Sequence, residues 1–176
     1  MPVTQEGQSA PTAVPTSQHG GVDVDVEPAT EHDRPALSQL LEMNARRFSE
    51  LDGREVDPPG SYEYPFLHLY FADPERRRAY LIRVGGHDVG CALVRTGTPH
   101  QMAEFFVIEQ FRRSGVGTTA ARSVFSLHPG AWSLQVVAGN DAAATFWRRV
   151  IPVDFSEAAE DGATTLAFTS ATGNKP

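Results

Sequence analysis

Apolar and polar residues alternate, or recur at helical spacing, along most of the chain from residue 22 onward. The stretch VDVDVEP, residues 22–28, alternates valine with acid and predicts a half-exposed strand. Residues 33–53 predict a helix, because five apolar residues fall on one face at helical spacing: Leu37, Leu40, Leu41, Phe48 and Leu51. Pro35 has to lie in the first turn of that helix, so Asp33 is a better N-cap than Thr30.

The middle of the chain predicts a hairpin followed by a central strand. The runs AYLIRV (79–84) and DVGCALV (88–94) are two strands separated by the turn GGH. The run QMAEFFVIEQF (101–111) is a third strand. Because it is mostly apolar, we expect it to be central in a sheet and buried on both faces.

The last third of the chain continues the alternation of helices and strands. Four apolar residues at helical spacing predict a helix that ends at HPG, residues 128–130: Val116, Ala120, Val124 and Leu127. AWSLQVVAG (131–139) predicts a strand, NDAAATFWRRVI (140–151) a short helix, and DFSEAAEDGATTLAFTS (154–170) a closing hairpin. The whole order predicts a mixed α/β sheet in one domain.

Composition sets limits on organisation and location. The chain has 176 residues, 40% hydrophobic and 21% charged, which suits one soluble globular domain. Residues 1–21 contain almost no large apolar groups, so we expect a flexible tail followed by the domain at 22–176. The N-terminal stretch lacks the features of a secretory signal, which makes the cytoplasm the expected location. No apolar run approaches the roughly 20 residues that span a bilayer, and we expect no membrane partner.

Charge and cysteine content narrow the chemistry further. The formal net charge of −7 argues against nucleic acid as the main partner and would suit a cationic small molecule. The single cysteine, Cys91, rules out an internal disulfide and a zinc site made of several thiolates. No spacing of histidine and acidic residues suggests a metal.

A segment rich in proline and aromatic residues, 54–77, predicts a loop with a short helix. Loops of this size with buried rings often line a site. Tyr62, Tyr64 and His68 are therefore candidates for contact with a substrate, although packing is the commoner role of such aromatic side chains.

The segment EQFRRSGVGTTAAR, residues 109–122, places two glycines between a strand and a helix. The first N–H groups of a helix have no intrahelical partner, and the helix dipole is positive there. Glycine lets the backbone approach an anion, so the turn predicts phosphate binding, with Arg112 and Arg113 adding charge. The glycines alone leave open a tight turn flanked by solvated arginines. The turn has no lysine for a Walker-type loop and too few glycines for a dinucleotide fingerprint.

This turn and a second motif resemble those of the GNAT superfamily of N-acetyltransferases, which use acetyl-coenzyme A. The family's cofactor loop follows Arg/Gln-x-x-Gly-x-Gly/Ala, and at those positions stand Arg112, Gly115 and Gly117. About 22 residues later, NDAAATFW is similar to the family's Asn-x-x-Ala-x-x-Phe-Tyr through Asn140, Ala143 and Phe146. The order of elements over residues 22–170 also resembles the family's.

The resemblance implies a fold, an activity and a cofactor site. The fold would be a mixed, mostly antiparallel sheet flanked by helices, and the activity would be acetyl transfer from acetyl-CoA to an amine, with no metal. Backbone groups of Phe106, Val107 and Ile108 would hold the pantetheine arm. The turn would hold the pyrophosphate through the amides of Arg113, Ser114, Gly115, Val116, Gly117 and Thr118, with Arg112 adding charge beside it. Asn140 and Phe146 would complete the site. Family members are often dimers, so a homodimer is one expected assembly.

Glu104 is the candidate catalytic base. On the third strand it shares a face with Met102 and Phe106, and a carboxylate among apolar groups takes up a proton more readily. It could equally hold a cationic amine by charge, or be a structural carboxylate paired with an arginine such as Arg83. The oxyanion donor is expected to be a main-chain N–H near Val107.

One residue departs from the family pattern. Trp147 stands where many relatives have a tyrosine that protonates the departing thiolate, and indole cannot act as an acid at neutral pH. We expect Trp147 to pack in the core or along the cofactor, and the acid is unassigned. A thiol with a pKa of about 8.5 can leave without an acid.

The leading functional prediction is acetylation of a small-molecule amine. Acetylation of a protein N-terminus or lysine is the enzymatic alternative, and it would need an open groove where the aromatic loop suggests a closed pocket. A third hypothesis is an acetyl-CoA-binding module without catalysis, which Trp147 in place of tyrosine keeps open.

Overall fold

In the computed structural model the described residues are 22–52, 63–160 and 162–171, and they form seven strands and four α-helices. The strands are β1 (Asp25–Pro28), β2 (Arg77–Val84), β3 (His87–Arg95), β4 (His100–Val107), β5 (Gly130–Val137), β6 (Phe155–Glu160) and β7 (Ala163–Ser170). The α-helices are α1 (Arg34–Asp52), α2 (Leu69–Ala72), α3 (Val116–Leu127) and α4 (Asp141–Val150), and short 3₁₀ helices lie at Glu31–Asp33 and Glu109–Phe111. The predicted tail, residues 1–21, lies outside the described residues.

All seven strands join one sheet in the order β1-β2-β3-β4-β5-β7-β6. Every neighbouring pair is antiparallel except β4 and β5, which are parallel. The mixed, mostly antiparallel sheet predicted from the sequence is therefore confirmed. The predicted closing hairpin is β6 and β7, and its second strand lies between β5 and β6.

The sheet opens in its middle, between β4 and β5. These strands are paired only at His100 with Trp132 and at Gln101 with Ser133. Both strands then continue, β4 to Val107 and β5 to Val137, without further pairing. On its other side β4 stays paired with β3, and β5 stays paired with β7, along most of their length. The two strands therefore diverge from each other in the shape of a V. We call the space between residues 102–107 of β4 and 134–137 of β5 the cleft.

Apolar layers cover both faces of the sheet. On one face, α1 and α2 contribute to a cluster that includes Leu37, Leu41, Tyr70, Leu93 and Phe106. On the other face, α3 and α4 pack over β5 and β7, in a cluster that includes Val124, Phe125, Trp132, Trp147 and Phe168. α3 also contacts β1 and β4, so this helix packs on strands from both sides of the cleft.

One burial prediction was wrong, and the cleft explains it. β4 is central, but residues 102–105 line the cleft and are only partly buried. Phe106 and Val107 are buried because they pack into apolar clusters with neighbouring helices and strands. Leu127, the last residue of α3, is 51% exposed, whereas Val116, Ala120 and Val124 of the same apolar spacing are buried.

The start of α1 also differs from the prediction. A 3₁₀ turn precedes the helix, and Thr30 is its N-cap. The Asp33 carboxylate accepts hydrogen bonds from the Thr30 backbone N–H at 2.8 Å and from its hydroxyl at 2.7 Å. Asp33 is therefore the third residue after the N-cap position, where its carboxylate caps the Thr30 N–H as in a capping box, and it is not the N-cap itself.

Candidate active site

The glycine turn leaves a row of backbone N–H groups at the start of α3. Arg113 and Gly115 both have positive φ angles, of 61° and 90°, which turn the chain sharply before the helix. The first bond of the helix runs from the Thr119 N–H to the Gly115 carbonyl at 3.0 Å. The amides of residues 116–118 precede that bond, and the N-cap glycine has no side chain to accept from them. Together with the helix dipole, they form a site suited to an anion.

The two glycines serve different purposes. Gly115 is required by its backbone angle, because residues with a side chain rarely adopt a φ of 90°. Packing does not require a glycine there, since a Cβ would meet nothing within 4 Å. Gly117 is favoured by packing, because a Cβ would lie 3.3 Å from the ring atom Cε2 of Phe146 on α4, a tight contact. Both glycines were predicted to leave room for an anion. At Gly117 the missing side chain also allows α3 to lie close to α4.

Arg112 and Ser114 hold the turn itself. The Arg112 Nε donates to the Val107 carbonyl at 2.8 Å, and its guanidinium lies 5.5 Å from the centre of the Phe106 ring. The Ser114 hydroxyl donates to the Phe111 carbonyl at 2.7 Å. Arg112 thus ties the turn to the end of β4, while Arg113 carries its charge at the rim of the cleft.

Hydrogen bonding in β4 narrows the predicted pantetheine contacts. The Ile108 N–H donates to the Val89 carbonyl at 2.9 Å, so it is taken by β3. Phe106, two residues earlier and opposite Cys91, directs its main-chain groups to the same side. The main-chain N–H and carbonyl of Val107 face away from β3, toward the cleft, and the carbonyl accepts the hydrogen bond from Arg112. Of the three predicted residues, Val107 is the one whose backbone is placed to bind a ligand in the cleft.

The cleft is part of a cavity of about 1500 Å³ that passes through the sheet. One end, the α3 end, is lined by Arg113, Gly115, Gly117, Thr118, Asn140 and Phe146. The other, the α1 end, is lined by Leu41, Asn44, Arg47, Glu63, Tyr64, Arg95 and Glu104. Pockets for one small ligand have volumes of about 300–1,000 Å³, so this cavity is large enough for two substrates that meet in the cleft.

Glu104 lies at the α1 end and is held by a buried amide. The Asn44 Nδ2 donates to Glu104 Oε2 at 2.9 Å, and Asn44 is only 5% exposed. A β-bulge helps to place the carboxylate, because Leu93 of β3 pairs with Glu104 while Val94 pairs with Met102, which leaves Ala103 as an extra residue. Met102 consequently joins the α3–α4 cluster, so the prediction that it shares a face with Glu104 was wrong.

Arg83, the example given for an arginine partner of Glu104, binds elsewhere. Arg83 binds three other carboxylates, those of Glu27, Asp33 and Asp88. The bond to Asp33 is 3.1 Å and that to Asp88 is 2.7 Å. This network ties β1, β2 and the start of α1 together, away from the cleft. Glu104 is directed instead to Asn44 of α1.

The two predicted substrate contacts that the structure describes, Tyr64 and His68, lie in different places. Tyr64 lines the cavity, and burial raises the pKa of its hydroxyl well above the usual value; Tyr70 and Glu104 raise it further, and Arg95 lowers it. His68 lines a smaller pocket outside the cleft and is exposed, with its Nδ1 3.0 Å from the Pro65 carbonyl. Tyr62 lies outside the described residues. Of the two that the structure describes, Tyr64 is the one placed near Glu104.

Comparison with known proteins decides the family. The sequence model of the acetyltransferase (GNAT) family matches residues 37–150, which contain most of α1, the cleft, the glycine turn and α4. The chain belongs to the GNAT family. It is accordingly an N-acetyltransferase that uses acetyl-CoA, as the two motifs indicated. No curated protein matches the sequence significantly.

Solved structures agree with this GNAT fold at low sequence identity. An acetyltransferase from Thermus thermophilus is 20% identical with a TM-score of 0.63, over 83% of this chain and 96% of that one. A GNAT family acetyltransferase from Elizabethkingia anophelis with acetyl-CoA bound is 13% identical, with a TM-score of 0.56 over 83% and 97%. The ribosomal-protein-S18-alanine N-acetyltransferase from Escherichia coli is 15% identical, with a TM-score of 0.59 over 86% and 97%.

The residues of the GNAT enzyme fit acetyl-CoA at the α3 end of the cavity. The N–H groups of residues 116–118 suit a pyrophosphate, and the Val107 backbone faces the space where the pantetheine arm is predicted. The Asn140 Oδ1 accepts from the Ala143 N–H at 3.1 Å, which caps α4 beside the same space. Phe146 stacks on Phe105 with a centroid distance of 5.7 Å, so the motif residues build the wall of the site.

Trp147 packs as a core residue of this GNAT enzyme. It is 7% exposed and contacts the rings of Phe105, Phe125 and Phe146, with centroid distances of 5.2, 6.1 and 4.8 Å. Of the two predicted positions, in the core or along the cofactor, the structure shows the core, and Trp147 also borders the cavity. Cys91 is completely buried, and burial raises the pKa of its thiol far above the usual value, with Glu104 adding to the effect; the thiol is therefore held in its unreactive form.

The described residues offer neither a metal cluster nor a membrane-spanning helix. No group of three or more histidine, cysteine, aspartate or glutamate side chains lies close enough together there to hold a metal ion. Within the same ranges, every helix is too short or too polar to cross a membrane.

Proposed function

We propose that this GNAT enzyme acetylates the amine of a small molecule, with Glu104 as the base. The observation that supports this best is the carboxylate of Glu104, held by Asn44 at the wall of the cleft. The amine of an acceptor is mostly protonated near neutral pH and has to lose a proton to attack. Glu104 would receive it, directly or through water.

The other parts of the site serve binding and charge. Acetyl-CoA supplies the activated acetyl group and a thiol leaving group. The N–H groups of residues 116–118 would hold its pyrophosphate, and the Val107 N–H would donate to the oxygen that gains negative charge during transfer. Trp147 has no proton to give at neutral pH, so we assign no acid and propose that the thiolate leaves unassisted.

The size of the acceptor follows from the walls of the α1 end. Residues 63–66 and the second half of α1, including Phe48, line the cavity opposite β4. An extended peptide needs an open groove or a free sheet edge, whereas walls on several sides favour a compact acceptor. The GNAT fold is also that of the ribosomal-protein-S18-alanine N-acetyltransferase, so the fold alone does not choose between these classes.

A direct assay tests the proposed function. Release of coenzyme A thiol would be measured over a library of small amines and of peptides, with mass spectrometry of each product. We expect N-acetylated small amines. Acetylation of peptides alone would favour the protein acetyltransferase, and binding of acetyl-CoA without any product would favour the non-catalytic module.

Asn44 is the positioning residue that the proposed mechanism requires, and its replacement is our first prediction. Asn44→Leu keeps the volume but removes the donor to Glu104, so we expect kcat to fall about tenfold and acetyl-CoA affinity to stay within about twofold. A hydrogen bond from an amide favours the charged carboxylate. Its loss should therefore move the acidic limb of the pH–rate profile to higher pH.

Two comparisons separate this role from general stability. Asn44→Gln retains an amide and should recover part of the rate. Ser38→Ala changes an exposed residue of the same helix and should leave the profile unchanged. An Asn44→Leu enzyme with normal kcat and an unshifted acidic limb would show that Asn44 does not position the base.

A further inference from the structure

Two arginines at the α1 end of the cavity have no ionic partner in the described part of the chain. Arg47 of α1 is partly buried and Arg95 is the last residue of β3, and both line the cavity. Among residues 22–52, 63–160 and 162–171, neither guanidinium makes a salt bridge or a hydrogen bond. By contrast, Arg46, the neighbour of Arg47, pairs with Glu42 at 2.8 Å and does not line the cavity.

The backbone places both arginines close to Glu104. Arg47 is three residues after Asn44, so the two side chains are neighbours on the same face of α1. Asn44 itself binds Glu104. On β3, Leu93 is directly opposite Glu104, and Arg95, two residues later, lies on the same face of the sheet as Leu93. Arg47 on the helix and Arg95 on the neighbouring strand therefore lie on the Glu104 side of the sheet and line the same end of the cavity.

The direction of the Tyr64 pKa shift agrees with the placement of Arg95 and Glu104 near one side chain. Glu104 raises the pKa of the Tyr64 hydroxyl, while Arg95 lowers it, so one side chain lies within electrostatic range of both. Glu63 adds a second carboxylate to the lining of this end. Among the described lining residues of the α1 end, two carboxylates thus face two guanidinium groups, and their charges cancel although the whole chain carries −7.

This balance argues against an acceptor that carries only positive charge. A polyamine would place ammonium groups beside the two guanidinium groups, where like charges repel. A guanidinium group pairs with a carboxylate through two parallel hydrogen bonds, and such bonds are among the strongest in proteins. A ligand with an amine and an acid would satisfy both kinds of side chain.

Building on the proposed function, we propose that the acceptor is a small amine that also carries a carboxylate. Its amine lies against Glu104, and its carboxylate is bound by Arg47 and Arg95. The carboxylate therefore fixes the orientation of the amine, so the arginines determine specificity without taking part in proton transfer.

Matched pairs of amines test this inference with the whole enzyme. Tyrosine, histidine and lysine would each be compared with the amine that lacks the carboxylate: tyramine, histamine and cadaverine. We expect kcat/KM to be at least about tenfold higher for the acid-bearing member of at least one pair, since one charge-assisted bond supplies that much. Arg47→Gln and Arg95→Gln should each raise the KM for that acceptor about tenfold, with a much smaller change in kcat. Arg46→Gln is the control and should change neither.

The outcomes distinguish this inference from the proposed function. Equal or better use of the amines without a carboxylate would overturn the inference and leave the proposed function intact. Failure of every amine, with acetyl-CoA still bound in calorimetry, would overturn both. Unchanged KM in both arginine variants, whose folding would be checked by circular dichroism, would also contradict the role of these residues.

Discussion

Glu104→Gln should lower kcat by about 100-fold or more, the usual contribution of a positioned general base. Glutamine has nearly the same shape, and its carbonyl oxygen can still accept the hydrogen bond from Asn44. It cannot take up the proton of the acceptor amine. The measurement is the initial rate of thiol release at saturating acetyl-CoA. Calorimetry should give the same acetyl-CoA affinity as for the unchanged enzyme, because Glu104 lies at the α1 end of the cavity.

A matched substitution on α1 serves as the control. Glu42→Gln removes the same charge from a residue that binds Arg46 and does not line the cavity, and kcat should stay within about twofold. Should Glu104→Gln also remain within about twofold at several pH values, Glu104 is not the base and the amine loses its proton in another way.

The elements of the fold follow from local patterns, but two features of the cleft do not. Apolar spacing predicted the helices and strands because each element buries one face. The separation of β4 from β5 depends on how the whole sheet packs against the helices, and a single strand carries no mark of it. The same holds for the extra residue Ala103, which moved Met102 to the opposite face from Glu104.

Asn44 was missed although the sequence contains a signal for it. It follows Leu40 and Leu41 by three or four residues and precedes Phe48 by four, so it lies within the apolar stripe of α1. A polar residue in such a stripe must be hydrogen-bonded, and the partner proved to be the predicted base. The motif residues could be found from the sequence because the turn has its own local geometry. Their partners across the cleft could not.

Gly117→Glu should lower acetyl-CoA affinity at least about 100-fold, which calorimetry would detect. Residue 117 is the second of α3, so the new carboxylate lies among the N–H groups that we expect to hold the pyrophosphate. Negative charge favours a helix N-terminus, and the new side chain would compete with the phosphates for the same groups and repel them. Its Cβ would also lie 3.3 Å from the Phe146 ring, which narrows the approach of α4.

Two further variants separate charge from packing in that result. Gly117→Ala adds only the Cβ, so any loss of affinity that it shares with Gly117→Glu comes from the contact with Phe146. Ser126→Glu adds the same charge to an exposed residue at the far end of α3 and should leave affinity within about twofold. If the pyrophosphate binds at the start of α3, the Gly117→Glu enzyme should bind acetyl-CoA much more weakly than the Gly117→Ala and Ser126→Glu enzymes. If all three bind acetyl-CoA alike, the N–H groups at the start of α3 do not hold the pyrophosphate, whatever the family assignment.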